Sequence, residues 1–130
     1  SFEARQATLT AHINARRDAY FRAGFTPVSG PVAGKTLQTR DIEDRNNWLT
    51  SQAAYSAAVA AGAGSVADAV FRTADNETVI CTYLEGLQTL LAMAAWGKAV
   101  MGNSWALKDA IAAAASDEDL GAIDLEAGWP

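Results

Sequence analysis

The segment Ser29-Gly30-Pro31-Val32-Ala33-Gly34-Lys35-Thr36 comes closest to a chemical motif. It matches the phosphate-cradling loop G-x-x-x-x-G-K-[ST], with serine in place of the first glycine. Such a loop works because consecutive backbone N–H groups and a helix dipole converge on phosphate, which requires a buried strand before it and a helix N-terminus after it. Here Phe25-Thr26-Pro27-Val28 stands before the loop, broken by proline, and Leu37-Gln38-Thr39 follows in a pattern that reads as extended. No apolar strand ending in an acid is present to hold magnesium. Nucleotide binding is therefore the weaker reading. A turn leading into a strand, with Lys35 as an exposed turn cation, is the better one.

The remaining reactive residue types lack partners. His12 is the sole histidine and falls on the polar side of a helical pattern. Cys81 is the sole cysteine, which excludes an internal disulfide and a cysteine zinc cluster. Among Val79, Ile80 and Tyr83 it reads as a small buried hydrophobe rather than a nucleophile. Asp41, Glu43 and Asp44 open one predicted helix and Asp117, Glu118 and Asp119 another, where the helix dipole favours acids without any catalytic role. Asp75 and Asn76 make a turn, and Asn76-Glu77-Thr78 is formally a glycosylation sequon. The expectation is no catalytic residue, no metal site and no cofactor, hence a protein that binds or assembles and is not an enzyme.

Aromatic and charged residues supply the candidate contacts. Of four tryptophans, Trp48, Trp96 and Trp105 lie on helical stripes and are expected in the core. Trp129 follows Gly128 at the end of the chain, where it either plugs the fold or is offered to a partner; plugging is the favoured expectation. Arg5, His12 and Arg16 share a face of the first helix, and Arg5 and Arg16 join Trp129 as candidate partner-binding residues. Charge is uneven: residues 1–50 hold seven Lys/Arg against five Asp/Glu, and residues 51–130 hold three against ten. The basic end is too weak for a nucleic-acid footprint, which needs clustered cations. The longest apolar stretches, Ala57 to Gly64 and Leu90 to Gly97, fall far short of the ~18 residues that suggest a membrane span, so no membrane insertion is expected.

These residues must be held by a helix-rich framework. A chain of 130 residues, half of them hydrophobic, suits one soluble domain. Phe2, Leu9, Ile13 and Tyr20 predict an N-terminal helix over 1–24, and the glycines and prolines of 25–34 predict a loop. An α+β body follows over 35–130. Lys35 to Arg40 reads as a short strand. Asp41 caps a helix over about 42–61, with Trp48, Tyr55 and Val59 on one stripe and Ala53, Ser56 and Ala60 on a small-residue stripe open to a close neighbour. Residues 68–82 read as a β-hairpin about Ala74-Asp75-Asn76-Glu77, with Val70, Phe71, Val79 and Ile80 as core contacts. Leu84, Leu87, Leu91 and Ala94 begin a helical stripe that runs through Trp96, Met101, Trp105 and Leu107 to Ile111, as one long helix or two shorter ones divided near Gly97 and Gly102. Ser116 caps a last short helix. The fold class is thus α+β: three to four helices, one very long, and a two- to three-stranded antiparallel sheet. An opening on Ser1 rather than Met suggests a start inside a longer polypeptide, of which this would be a C-terminal part.

Three stretches carry a family resemblance: Phe71-Arg72-Thr73-Ala74-Asp75-Asn76, the Leu-rich helix after it, and Ile123-Asp124-Leu125-Glu126-Ala127-Gly128-Trp129-Pro130. Together with the order of elements over roughly residues 33–130, they resemble a family of bacteriophage and prophage tail proteins of unknown function, with members in tail fibre or tail fibre-assembly positions. The resemblance implies a structural or host-recognition module of the virion tail, with other phage tail proteins as partners and a homo-oligomeric working state. The alternative it leaves open is a tail fibre assembly chaperone.

Overall fold

The computed structural model describes all residues from Ser1 to Pro130. Four helices and one hairpin follow in the order α1 (Phe2–Ala23), α2 (Ile42–Ala60), β1 (Ala69–Arg72), β2 (Thr78–Cys81), α3 (Tyr83–Ala113) and α4 (Asp117–Gly121). The class is α+β, with a long helix of 31 residues. The chain divides into two compact units: Ser1–Tyr20 with Gly97–Pro130, and Phe21–Trp96.

Local chemistry sets the helix ends. Asp41 and Ser116 are extended residues whose side chains accept from the backbone N–H of Asp44 and Asp119, satisfying donors that the first helical turn leaves free. Thr82 and Glu85 do the same reciprocally at the start of α3: the Glu85 N–H donates to Thr82 Oγ1 at 3.1 Å and the Thr82 N–H to Glu85 Oε1 at 3.0 Å. The bond from the Thr82 backbone N–H, helped by the Thr82 side chain, holds the Glu85 carboxyl below its usual pKa. Gly24 ends α1 at φ +92°, and a Cβ there would lie 2.7 Å from the Leu37 carbonyl oxygen, so only glycine fits. Gly97 and Gly102 do not interrupt α3. Tertiary burial outweighs the ~1 kcal/mol that each glycine costs a helix.

The unit Phe21–Trp96 packs Val32, Leu37, Tyr55, Ala69, Phe71, Cys81, Leu90 and Met93 into one core. β1 and β2 pair antiparallel, Ala69 with Cys81 and Phe71 with Val79, and these residues face inward. Val70 and Ile80, expected in the core, are cross-strand partners on the outer face, 45% and 63% exposed. The pleat allows only alternate residues inward. Lys35 to Arg40 is not a third strand either. Only Leu37 bridges, to Phe25, and Ala74 N–H donates to the Thr36 carbonyl.

Tyr55 locks this unit together. Its hydroxyl donates to the Val70 carbonyl at 3.0 Å and accepts from the Val70 N–H at 3.1 Å, filling the edge of β1 that faces away from β2. Its ring meets Phe71 and Tyr83 at centroid distances of 6.4 and 5.7 Å. Gly86 admits α3 to this point, since a Cβ there would sit 2.8 Å from the Ala69 Cβ and 3.0 Å from the Tyr55 ring.

That approach fixes the phase of α3. Leu90 and Met93 turn inward with Gly86, whereas Leu84 and Leu91, predicted on the buried stripe, are 44% and 50% exposed. The small residues Ala53, Ser56 and Ala60 also face solvent, so the close helix approach occurs at Gly86 rather than on that stripe.

The unit Ser1–Tyr20 with Gly97–Pro130 centres on Ile13, Ile111 and Leu120, flanked by Phe2, Leu9, Leu107, Ile123, Leu125 and Trp129. Trp105 is not in this core; it is 54% exposed. Gln6 Nε2 donates to the Ile111 carbonyl at 2.9 Å and Asn103 Nδ2 to the Ala127 carbonyl at 3.0 Å, tying α1 and the C-terminal segment to α3 within the unit.

Replacing Tyr55 by Phe strips both hydrogen bonds from Val70 while keeping the ring. Chemical denaturation is expected to show a loss of about 1–2 kcal/mol, the lower part of the range for unsatisfied backbone groups, because the Val70 pair is only partly buried. An unchanged midpoint would contradict the clamp.

Candidate binding surfaces

The glycine-rich segment forms a turn and not a phosphate cradle. Residues 31–34 are turn, Gly34 N–H donates to the Pro27 carbonyl at 2.9 Å, and no helix begins at Lys35. The amides that would have to point at phosphate are in part spent within the turn. Lys35 is also not an idle cation. It is ion-paired with Glu77 and lies 3.9 Å from Asp75, fastening the loop to the tip of the hairpin. Hydrogen bonding to Glu77 raises the Lys35 pKa, and Thr73 Oγ1, which donates to the Asp75 carboxylate, lowers that of Asp75. Asn76 takes the left-handed conformation, φ 62°, that closes the hairpin.

Cys81 is buried, and that burial raises the pKa of its thiol, which disfavours a thiolate. No group of three or more His, Cys, Asp and Glu is placed to hold a metal ion. No helix is long and apolar enough to cross a membrane.

The three candidate contact residues fall in one unit, where each has an internal partner. Arg5 pairs with Asp117 at 3.0 Å, and Arg16 pairs with Glu126 at 2.6 Å. His12 also reaches Glu126, at 3.4 Å. The charge imbalance between the chain's halves is thus partly matched inside the fold, basic α1 against the acidic C-terminal segment. All of these side chains stay about half exposed, so each pair adds little stability. Trp129 packs back on the fold. Its ring stacks on Tyr20 with centroids 5.4 Å apart and planes 17° apart, and its Nε1 donates to the Leu125 carbonyl at 3.0 Å.

Two concave sites within the unit Phe21–Trp96 had no signature in the sequence. One, of about 380 Å³, lies between the loop over residues 25–31 and α3, with Glu85, Gln88 and Thr89 on its helical wall. The other, of about 290 Å³, lies beside α2 and β1. α2 supplies Asp44, Asn47, Trp48 and Ser51 to it, whose spacing of three, one and three places them on one side of a helix. Gln38, Val70 and Arg72 form the rest of its wall. Trp48 Nε1 donates to the Gln38 carbonyl at 2.7 Å, which fixes the indole at the cleft.

The chain belongs to the family described as Domain of unknown function (DUF4376), whose model matches residues 3–127. No curated protein and no solved structure matches it.

Trp129→Ala removes the stacked, half-buried indole. The expected loss in denaturant stability is about 2 kcal/mol, below the ~3–5 kcal/mol of a fully buried aromatic. A change near zero would show that the indole does not hold the C-terminal segment.

Proposed function

We propose that the domain is a non-enzymatic structural or host-recognition module of a bacteriophage tail, fibre-associated and working in several copies. The starting point is the resemblance of Phe71–Asn76, of the helix after it and of residues 123–130 to phage and prophage tail proteins. The observation that carries the reading furthest is the hairpin's outer surface. Val70 and Ile80 stand side by side in water. The register also turns the Ile80 amide and carbonyl toward the edge of β2 that has no neighbouring strand. An unpaired strand edge beside an apolar pair is a site where another polypeptide can add a strand or a side chain. Elsewhere in the same unit Leu49 and Val28 are large apolar residues that also stand exposed. Symmetric assemblies bury such surfaces between copies.

An assembly chaperone could use the same edge transiently on a folding fibre, so location separates the two readings. Mass spectrometry of purified virions is expected to find peptides from residues 1–130 at stoichiometric levels. Their consistent absence, together with fibres that misfold when the gene is deleted, would overturn the tail-component reading in favour of the chaperone.

A further inference from the structure

The cleft beside α2 and β1 holds polar groups that the fold does not use. Gln38, Asn47 and Ser51 keep their side-chain amides and hydroxyl out of intramolecular hydrogen bonds while lining it. Each amide offers a carbonyl acceptor and two N–H donors, and the hydroxyl offers both roles. Beside them stands the Trp48 indole, backed by Phe71 at a centroid distance of 5.7 Å, with the apolar Val70 across the cleft. Neutral donors and acceptors grouped around an aromatic and an aliphatic wall match one ligand chemistry well. A sugar ring carries hydroxyls that both donate and accept, together with patches of C–H that pack on apolar surface.

The two charged residues of the cleft differ in state. Asp44 is taken up by Arg40, whose Nε and Nη2 donate to its two oxygens at 2.9 and 3.2 Å and whose backbone N–H adds a third bond at 2.9 Å. Hydrogen bonding to the Arg40 side chain is the largest cause of its lowered pKa. Its charge is spent. Arg72 has no carboxylate partner and donates only to the neutral Thr78 hydroxyl at 2.8 Å. A guanidinium without a counter-charge at the wall of a polar cleft favours a carboxylate on the ligand.

We propose that this cleft binds a saccharide through Gln38, Asn47, Trp48 and Ser51, and that Arg72 selects a sugar bearing a carboxylate. The inference deepens the host-recognition reading and rests on it only for the biological source of the glycan. The volume of about 290 Å³ lies just below the ~300–1,000 Å³ of typical ligand sites and suits a single sugar ring. Single-site binding is then weak, on the order of millimolar, and presentation in several copies raises it by avidity.

The test displays the full chain multivalently on streptavidin and probes it with an array of bacterial surface glycans that includes uronic-acid oligosaccharides. The expected result is binding to at least one acidic glycan, with the carboxyl-reduced form of the same glycan bound about tenfold more weakly. Arg72→Gln should produce a similar loss, and Asn47→Ala and Ser51→Ala smaller ones, all at unchanged melting temperature. In nuclear magnetic resonance titrations the Trp48 indole N–H signal should move with the bound sugar. No glycan retained above the Gln38→Ala/Asn47→Ala/Ser51→Ala triple variant would overturn the site. Binding unaffected by these substitutions would place the sugar elsewhere and also overturn it. Equal affinity for the carboxyl-reduced glycan would overturn the role of Arg72. Glycan binding by a chain missing from virions would sink the tail-component reading alone, whereas a virion component that binds no glycan would sink only this inference.

Discussion

The hydroxyl of Tyr55 occupies both hydrogen-bonding positions of Val70, and the rest of the unit Phe21–Trp96 depends on that contact. A hairpin of two four-residue strands is at best marginally stable alone in water. Here a tyrosine from α2 stands in for a third strand on the edge of β1, and Gly86 lets α3 close in on the same point. Once β1 is held this way, the pleat turns Ala69, Phe71 and Cys81 into the core and leaves Val70 and Ile80 outside. The clamp also sets one face of α2 beside β1, and that juxtaposition creates the polar cleft around Trp48.

Much of the framework could be read from the sequence because its signals are local. Asp41 and Ser116 mark helix starts by chemistry that acts within three residues, and Asp75-Asn76 marks a turn by backbone preference alone. The periodicity of Phe2, Leu9, Ile13 and Tyr20 likewise gave the first helix. What sequence could not resolve was which of several equally apolar residues turns inward. Val70, Phe71, Val79 and Ile80 are interchangeable by hydrophobicity; the pleat admits only one set inward, and the packing of Phe71 against Trp48 and Tyr55 selects it. The phase of α3 failed for the same reason: Leu84, Leu91 and Trp105 fit a stripe, but the approach at Gly86 selects Leu90 and Met93. The Lys35 to Arg40 segment has strand-like composition, yet finds a partner only at Leu37.

The candidate sites were less legible than the fold. The uneven charge of the two halves was visible, but pairing Arg5 with Asp117 and Arg16 with Glu126 joins residues more than a hundred positions apart. The cleft itself draws on a loop, a helix and a strand, and none of its residues is unusual in its local context. The fold leaves three features unused: a strand edge, an apolar cross-strand pair, and polar side chains without internal partners. Those features are the ones that the proposed recognition and assembly role would use.

The central claim is that a side-chain clamp closes one edge of the hairpin and leaves the other open. Amide hydrogen exchange, followed residue by residue by nuclear magnetic resonance, tests it directly, because Val70 and Ile80 are paired neighbours whose N–H groups point to opposite edges. The Val70 N–H is expected to exchange slowly, near the rate set by unfolding of its unit, and the Ile80 N–H to exchange fast. Fast exchange at Val70, or protection at Ile80 equal to it in the isolated chain, would contradict it.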